Sequence, residues 1–238
     1  GAGLASMAAE PAAAETTPAL QPQGVCTLFP QAVEGPYYFD PHLVRGDITE
    51  GRPGLPMRLD LRVIESGSCR PIAGARVDVW HADAGGIYSG YAGQGDARSV
   101  STKGQVYLRG TQMTDGNGAV AFTSIYPGWY PGRTPHVHVK VFLDTRTLVT
   151  GQVYFPDALS ARIYRERQPY AGRPVPDTTN ATDGIFRSGQ RDGGGIVFAV
   201  LDQPDLLVAS LTLAVDRSGA AARRADGWLG ALRRLIAR

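Results

Sequence analysis

Short runs of alternating apolar and polar residues recur along most of this 238-residue chain. In the run that ends at Phe142, three valines alternate with His136 and His138. A period of two residues places alternate side chains on opposite faces and predicts a β-strand. Comparable runs predict strands at residues 57–64, 75–80, 106–113, 119–125, 136–143, 148–155, 196–201 and 206–215.

Helical periodicity is scarce, and one short helix is predicted from Asp157 to Arg167. The sequence Asp-Gly-Asn-Gly at residues 115–118 is a strong hairpin signal, so the strands before and after it are expected to pair. The strands at 136–143 and 148–155 are expected to form a second pair. Many short strands with Gly and Pro turns predict an all-β fold, an antiparallel β-sandwich with long loops and few short helices.

The composition divides the chain into three parts. Residues 1–24 are rich in Ala, Pro, Thr and Gln and are interpreted as a disordered lead-in or the remnant of a signal. Residues 25–215 form the predicted β-sandwich domain. Residues 216–238 are a basic tail with six Arg and two Asp, and the spacing of Trp228, Leu232 and Leu235 is helical. Such a helix could touch a membrane or a partner, or pack on its own domain.

Charge and hydropathy exclude some classes of function. The net charge of +2 argues against a whole-protein footprint for nucleic acid, and no apolar stretch reaches the roughly 20 residues of a membrane span. The first ten residues are small and apolar, like the end of an export signal. We therefore expect an exported protein, periplasmic or extracellular, with a cytoplasmic location as the alternative. Both a monomer and a homodimer are compatible with the sequence.

The two cysteines, Cys26 and Cys69, belong to no Cys-x-x-Cys pair, so they do not indicate a zinc site of that kind. Two interpretations stay open. Either both are free thiols in the core, or they form a disulfide, which requires an oxidising compartment.

His136 and His138 are two of only four histidines in the chain. They lie two residues apart on one strand face, so both imidazoles can bind one metal ion. The alternative is a partly exposed strand face that carries two histidines without a metal.

Tyr88 and Tyr130 lie in glycine-rich turns at the ends of predicted strands. Each alone is an ordinary packing aromatic, but with the histidine pair they suggest a site of two tyrosines and two histidines. Tyrosine has a pKa near 10 and binds as phenolate only where a strong Lewis acid displaces its proton. Phenolate is a hard anionic donor, so this set favours Fe(III) over Zn(II) or Cu(I).

Several motifs together resemble the intradiol ring-cleavage dioxygenases, which include catechol 1,2-dioxygenase and protocatechuate 3,4-dioxygenase. The resemblance extends from about Thr27 to Phe155, more than half of the chain. The motifs that carry it are Gly-Pro-Tyr-Tyr at 35–38, Val-Asp-Val-Trp-His-Ala at 77–82, Gly-Ile-Tyr-Ser at 86–89, Thr-Asp-Gly-Asn-Gly at 114–118 and Pro-Gly-Trp-Tyr at 127–130.

The resemblance implies one non-haem Fe(III) bound by Tyr88, Tyr130, His136 and His138 in a β-sandwich. It also implies an activity, the cleavage of a catechol with O2 between its two hydroxylated carbons to a cis,cis-muconate.

The same resemblance assigns catalytic roles to Tyr130, Arg133 and Gln152. Tyr130 corresponds to the ligand that the substrate displaces and that accepts its proton. Arg133 stands three residues before His136, and Gln152 fourteen residues after His138, at positions that line the substrate pocket in the family. A fixed guanidinium charge suits the stabilisation of developing negative charge on the substrate.

Two departures from the family pattern point to its exported, single-domain branch. Only six positions separate Tyr130 from His136, where the cytoplasmic catechol enzymes have a longer loop, and the helical N-terminal dimerisation segment has no counterpart. The shorter loop is expected to leave the iron more open to solvent and to bulky catechols.

Five further residues near the expected entrance are candidates for substrate contact, each equally compatible with a surface or packing role: Glu34, Tyr37, Tyr38, Tyr91 and Gln94. His81 could donate a hydrogen bond to one of the metal ligands, or it could be a core histidine whose own hydrogen bonds are satisfied.

Two other functions compete with the dioxygenase. One is a non-enzymatic β-sandwich carrier or polysaccharide-binding module, which the joint presence of Tyr88, Tyr130, Arg133 and Gln152 disfavours. The other is a zinc or copper hydrolase, which lacks a well-placed carboxylate base beside the histidine pair.

Overall fold

The computed structural model describes residues 26–190, 198–203 and 205–225. Most of the regular structure within them is β-strand. The strands are β1 (Pro56–Glu65), β2 (Arg76–Trp80), β3 (Arg109–Met113), β4 (Ala119–Ile125), β5 (His136–Leu143), β6 (Arg146–Tyr154), β7 (Phe198–Gln203) and β8 (Leu206–Val215). The helices are α1 (Asp157–Glu166), α2 (Gly184–Gln190) and a further helical segment at residues 220–225, with a 3-10 turn at Tyr170–Gly172.

The strands form two four-stranded sheets, in the orders β4-β1-β8-β7 and β3-β2-β5-β6. The predicted all-β class with few short helices is confirmed, as is the antiparallel β5–β6 pair. The expectation of fully antiparallel sheets is wrong, because β1 and β8 pair in parallel from Met57–Leu207 to Glu65–Val215. These strands are distant in sequence, so no tight turn forces them to run in opposite directions.

The predicted hairpin at residues 115–118 is also wrong. The turn forms, with the amide of Gly118 donating to the carbonyl of Asp115, but β3 pairs with β2 and β4 pairs with β1. It therefore connects the two sheets. Gly118 is held against β1, because Val63 donates its amide to the Gly118 carbonyl. Turn chemistry reverses the chain locally, but burial against the rest of the protein selects the partner strand.

Both sheets contribute alternate residues to one hydrophobic core. In β1, Met57, Leu59 and Leu61 are 1% exposed, while the residues between them face outward. In β5, the three predicted valines are fully buried. Full burial of such a side chain contributes roughly 1.5–3 kcal/mol, so this shared interior stabilises the packing of the sheets.

The outer face of the β3-β2-β5-β6 sheet is buried as well. The pairing register places Arg109, Trp80, His138 and Gln152 in one row across the four strands, and each is 1–3% exposed. Loops that follow β2 and precede β1 cover this face with aromatic rings. The alternative of a partly exposed histidine face is therefore wrong, since β5 is buried on both sides.

Cys26 and Cys69 form a disulfide across 43 positions of sequence. The bond attaches the first described residues to the end of β1, where the Ser66 hydroxyl also donates to the Cys26 carbonyl at 2.9 Å. From there the chain runs along β8 and β6, because the amide of Phe29 donates a hydrogen bond to the Ala214 carbonyl and the amide of Ala32 to the Thr150 carbonyl. This path brings residues 33–38 to the outer face of the β3-β2-β5-β6 sheet.

Both ends of the chain extend past the described residues, so the predicted lead-in of residues 1–24 lies outside them. Residues 220–225 are helical, and Ala221 and Ala222 are buried. The apolar face predicted around Trp228 also lies outside the described part. No helix within the described ranges is long and apolar enough to cross a membrane.

Replacing both Cys26 and Cys69 with Ser should lower the free energy of unfolding by about 3–4 kcal/mol, because a closed loop of this length restricts the unfolded chain. Urea unfolding with and without dithiothreitol measures this difference. The reductant should shift the wild-type midpoint and leave the double variant unchanged. An equal response of both proteins would mean that the bond does not stabilise the fold.

Candidate metal centre

Four side chains converge on the outer face of the β3-β2-β5-β6 sheet, and they are the four predicted ligands. The Nε2 atoms of His136 and His138 lie 3.2 Å apart. The Oη atom of Tyr130 lies 3.1 Å from Nε2 of His136, and that of Tyr88 lies 3.5 Å from it. The two phenol oxygens are 3.4 Å apart. The structure thus brings two oxygens and two nitrogens to one point.

Tyr88 reaches the site from a loop that begins where β2 ends. Asp83 organises this loop, because its Oδ1 accepts the amides of Gly85 and Ile87 at 2.9 and 3.0 Å. A Cβ on Gly86 would lie 2.2 Å from the carbonyl oxygen of Trp129, so only glycine lets the Tyr88 and Tyr130 loops approach this closely.

The loop that carries Tyr130 is held by hydrogen bonds to residues that precede α2. The amide of Gly132 donates to the Asp177 carboxylate at 3.2 Å. The hydroxyl of Thr134 donates to Asn180 Oδ1 at 3.0 Å. These bonds fix the short path from Tyr130 to β5.

Both imidazoles are neutral and present Nε2 to the centre. Burial lowers the pKa of His136 to about 3 and the pKa of His138 well below its usual value. His136 Nδ1 lies 2.7 Å from the Thr134 carbonyl, so this nitrogen carries the proton and Nε2 keeps its lone pair. Neutral imidazole is the form that binds metals.

Burial also keeps both tyrosines as neutral phenols until a cation binds, because it raises the pKa of Tyr88 and of Tyr130 above the usual value. Tyr88 is 1% exposed, whereas Tyr130 is half-buried. Of the two phenols, Tyr130 is therefore the one that faces solvent. The greater openness expected from the short loop stays a prediction.

The donor set fits a hard, highly charged cation. Separations of 3.1–3.5 Å are those of atoms that each lie roughly 2 Å from a shared ion. Over the described ranges, no three His, Cys, Asp or Glu side chains group into a metal site. A metal ion at this point would be bound by the two phenol oxygens together with the imidazoles, and phenolate oxygens suit Fe(III) better than Zn(II) or Cu(I).

Arg133 lies beside this centre and is held by a buried carboxylate. Its Nε donates to Asp183 Oδ2 at 2.8 Å, its Nη1 lies 3.5 Å from the Tyr130 oxygen, and its Nη2 donates to Gln152 Oε1. Burial opposes ionisation of Asp183, but the charge of Arg133 and the hydrogen bonds outweigh it and lower the pKa of the carboxyl. The pair is charged at neutral pH.

Gln152 is oriented by three contacts. Its Oε1 accepts the hydroxyl of Tyr154 at 2.8 Å as well as the Arg133 guanidinium, and its Nε2 donates to the Val33 carbonyl at 3.3 Å. The amide is thus fixed with its oxygen toward Arg133.

Asp183 and Tyr154 were not among the site residues predicted from the sequence. Asp183 Oδ1 also accepts the amides of Ile185 and Phe186, so it caps α2. The cap is recognisable, since Asp commonly precedes a helix. Its bond to Arg133 spans 50 positions and has no local signature.

The five candidate substrate contacts have different surroundings. The ring of Tyr37 stacks on Tyr88, with centroids 4.7 Å apart. Gln94 is buried and accepts the amide of Tyr88 at 3.1 Å, so it supports the loop. The others bond away from the ligands: Tyr38 to Asp78, Tyr91 to the Tyr38 carbonyl and Glu34 to Lys140.

His81 has both ring nitrogens occupied. Nδ1 lies 2.8 Å from the Ala82 carbonyl and Nε2 lies 2.7 Å from the Ser124 hydroxyl. Of the two roles left open, these contacts support the satisfied core histidine.

Known proteins resemble this chain in sequence and in structure. A dioxygenase family model matches residues 33–162. Chlorocatechol 1,2-dioxygenase from Rhodococcus opacus is 30% identical over 153 residues, 52% of this chain and 55% of the relative. Protocatechuate 3,4-dioxygenase beta chain from Burkholderia cepacia is 34% identical over 127 residues, 49% and 52% of the two chains. The chain thus spans about half the length of these curated relatives.

A solved structure extends the similarity over most of the chain. It is an intradiol ring-cleavage dioxygenase from Tetranychus urticae, with a TM-score of 0.72 and 32% identity, covering 80% of this chain and 95% of the other. The residues matched by the family model include the four convergent side chains, Arg133 and Gln152. The chain belongs to the intradiol ring-cleavage dioxygenases, a family of oxidoreductases.

Proposed function

We propose that this protein is a Fe(III)-dependent intradiol dioxygenase. It cleaves a catechol-type aromatic with O2 between the two hydroxylated carbons and forms a cis,cis-muconate. The observation that carries the proposal is the convergence of two phenols and two neutral imidazoles within 3.1–3.5 Å. Family membership argues against a non-enzymatic carrier or polysaccharide-binding module.

The four convergent side chains would hold the iron, and bound Fe(III) would supply the Lewis acidity that ionises the phenols and the catechol hydroxyls. The two tyrosines differ in their surroundings. Tyr88 is buried beneath Tyr37 and is fixed through its backbone, which suits a permanent ligand. Tyr130 is half-buried, which suits a role in accepting a proton from an incoming catechol hydroxyl.

Arg133 and Gln152 act on the substrate from one side of the site. Arg133 keeps its charge next to Tyr130, so it favours negative charge on a catechol bound there. Asp183 fixes the direction of the guanidinium, and Gln152 presents its amide beside it.

We also propose that the protein works outside the cytoplasm. The disulfide supports this location, because such bonds persist in oxidising compartments.

The iron-loaded protein should be red to burgundy because of charge transfer from tyrosinate to Fe(III). Changing Tyr88 and Tyr130 together to Phe should abolish the visible band, since both phenolates are lost. The matched control is Tyr107→Phe, which removes a buried hydroxyl that has no hydrogen-bond partner. Absorption spectra after loading with ferric iron measure the result. A double variant with the wild-type band would show that the ligands are other residues.

A panel of catechols should give O2 uptake and ring cleavage between the hydroxylated carbons. Mass spectrometry and ultraviolet spectra of the products identify the position of cleavage. Products that are cis,cis-muconates support the proposal, and the best substrate defines the ring substituents. A panel that yielded only 2-hydroxymuconic semialdehydes would reject intradiol cleavage.

Asp183→Asn should lower kcat by about 10–100-fold, because a misdirected Arg133 no longer meets the reacting substrate correctly. The iron content and the visible band should stay, since no ligand is changed. The control is Asp144→Asn, which alters an exposed carboxylate that pairs with Arg146 and does not contact Arg133. Steady-state kinetics on folded, iron-loaded protein test this role. A wild-type kcat would exclude it.

A further inference from the structure

The two imidazoles of the candidate site are held by different means. His136 has its Nδ1 against the Thr134 carbonyl at 2.7 Å. His138 is 3% exposed, and its Nδ1 is buried without any hydrogen-bond partner. Histidines that bind metals almost always donate their second ring nitrogen to an acceptor, which fixes the ring plane. His138 lacks this constraint, so something else must orient its ring.

Packing against Trp80 provides that orientation. The two rings lie parallel, with centroids 4.7 Å apart and an interplanar angle of 11°. Trp80 and His138 are direct partners in the β2–β5 register, so the two backbones hold the rings together. Gly35 lies against the edge of the His138 ring, since a Cβ at position 35 would be 3.4 Å from His138 Cε1.

Trp80 is itself tightly positioned, although not by a polar bond. It is 1% exposed, and its indole Nε1 has no partner, so its contribution comes from the ring face. The ring of Tyr38 packs on Trp80 at 4.7 Å, and the Tyr38 hydroxyl donates to Asp78 Oδ2 at 2.8 Å. The stack is thus connected to a fixed carboxylate on the same strand.

We propose that Trp80 is a positioning residue for His138, setting the ring plane of this metal ligand in place of the missing hydrogen bond. The inference rests on the proposed function, because it requires that His138 binds the metal. It implies that the His138 imidazole occupies a slot defined by shape, between the Trp80 face and Gly35. His136 depends instead on its hydrogen bond to Thr134.

The first test compares Trp80→Leu with Trp80→Phe. Trp80→Leu removes the aromatic face and should weaken Fe(III) binding by about 10–100-fold, the usual effect of losing a group that orients a ligand. Trp80→Phe keeps a ring face and should restore most of the affinity. The control is Phe122→Leu, which alters a fully buried core residue of β4 and should lower only the melting temperature.

Competition with a ferric chelator measures the affinity, and circular dichroism confirms folding. Wild-type affinity in folded Trp80→Leu would overturn the inference and leave the proposed function standing. A wild-type protein that binds no Fe(III) would overturn both. If Trp80→Leu and Phe122→Leu weakened binding equally, Trp80 would be an ordinary core residue and the inference would fail.

The second test probes the slot itself through rescue by free imidazole. His138→Gly should lose the visible band of the ferric protein, and free imidazole should restore it, because the slot against Trp80 can take the ring. In the double variant His138→Gly, Trp80→Phe, restoration should need less imidazole than in His138→Gly, Trp80→Leu. An absence of rescue in His138→Gly, or equal rescue in both double variants, would contradict the inference.

Discussion

The site depends on the pairing of β5 between β2 and β6 in a sheet that is buried on both faces. That register places His138 between Trp80 and Gln152, and His136 opposite Tyr154. A shift of one residue would turn both imidazoles into the hydrophobic core and expose the valines to the site face, because strand side chains alternate. The fully buried valines make this register costly to change, so packing of the core also fixes the positions of the two histidines.

Burial then determines the chemistry of the donors. It lowers the pKa of both histidines and raises that of both tyrosines, so the four groups are neutral without a metal. Four neutral donors are tolerated in a buried site, whereas two phenolates would be costly. A strongly Lewis-acidic cation reverses this balance, because it favours the ionised phenols. The same burial that lets the apoprotein fold therefore restricts which ions the site favours.

Strand positions were predictable because alternation is local, and β4, β5 and β8 begin and end at the predicted residues. The pairing partner of each strand was not predictable. The turn at residues 115–118 connects β3 of one sheet to β4 of the other, so it does not form a hairpin. Strand β1 pairs in parallel with β8 across about 150 positions of sequence. Sequence patterns describe which face of a strand is apolar, but the neighbour is selected by the area that the whole fold buries.

The sequence alone determined the types and spacing of the donors: two histidines on one strand face, two tyrosines in glycine-rich turns, and Arg133 beside them. Tertiary structure decided how those donors are held. Asp183 reaches Arg133 from 50 positions away, Tyr154 orients Gln152 from the same strand, and Trp80 stacks on His138 across a strand pair. The physical reason is that donor identity is a property of single residues, whereas orientation requires contacts between segments that only the fold brings together.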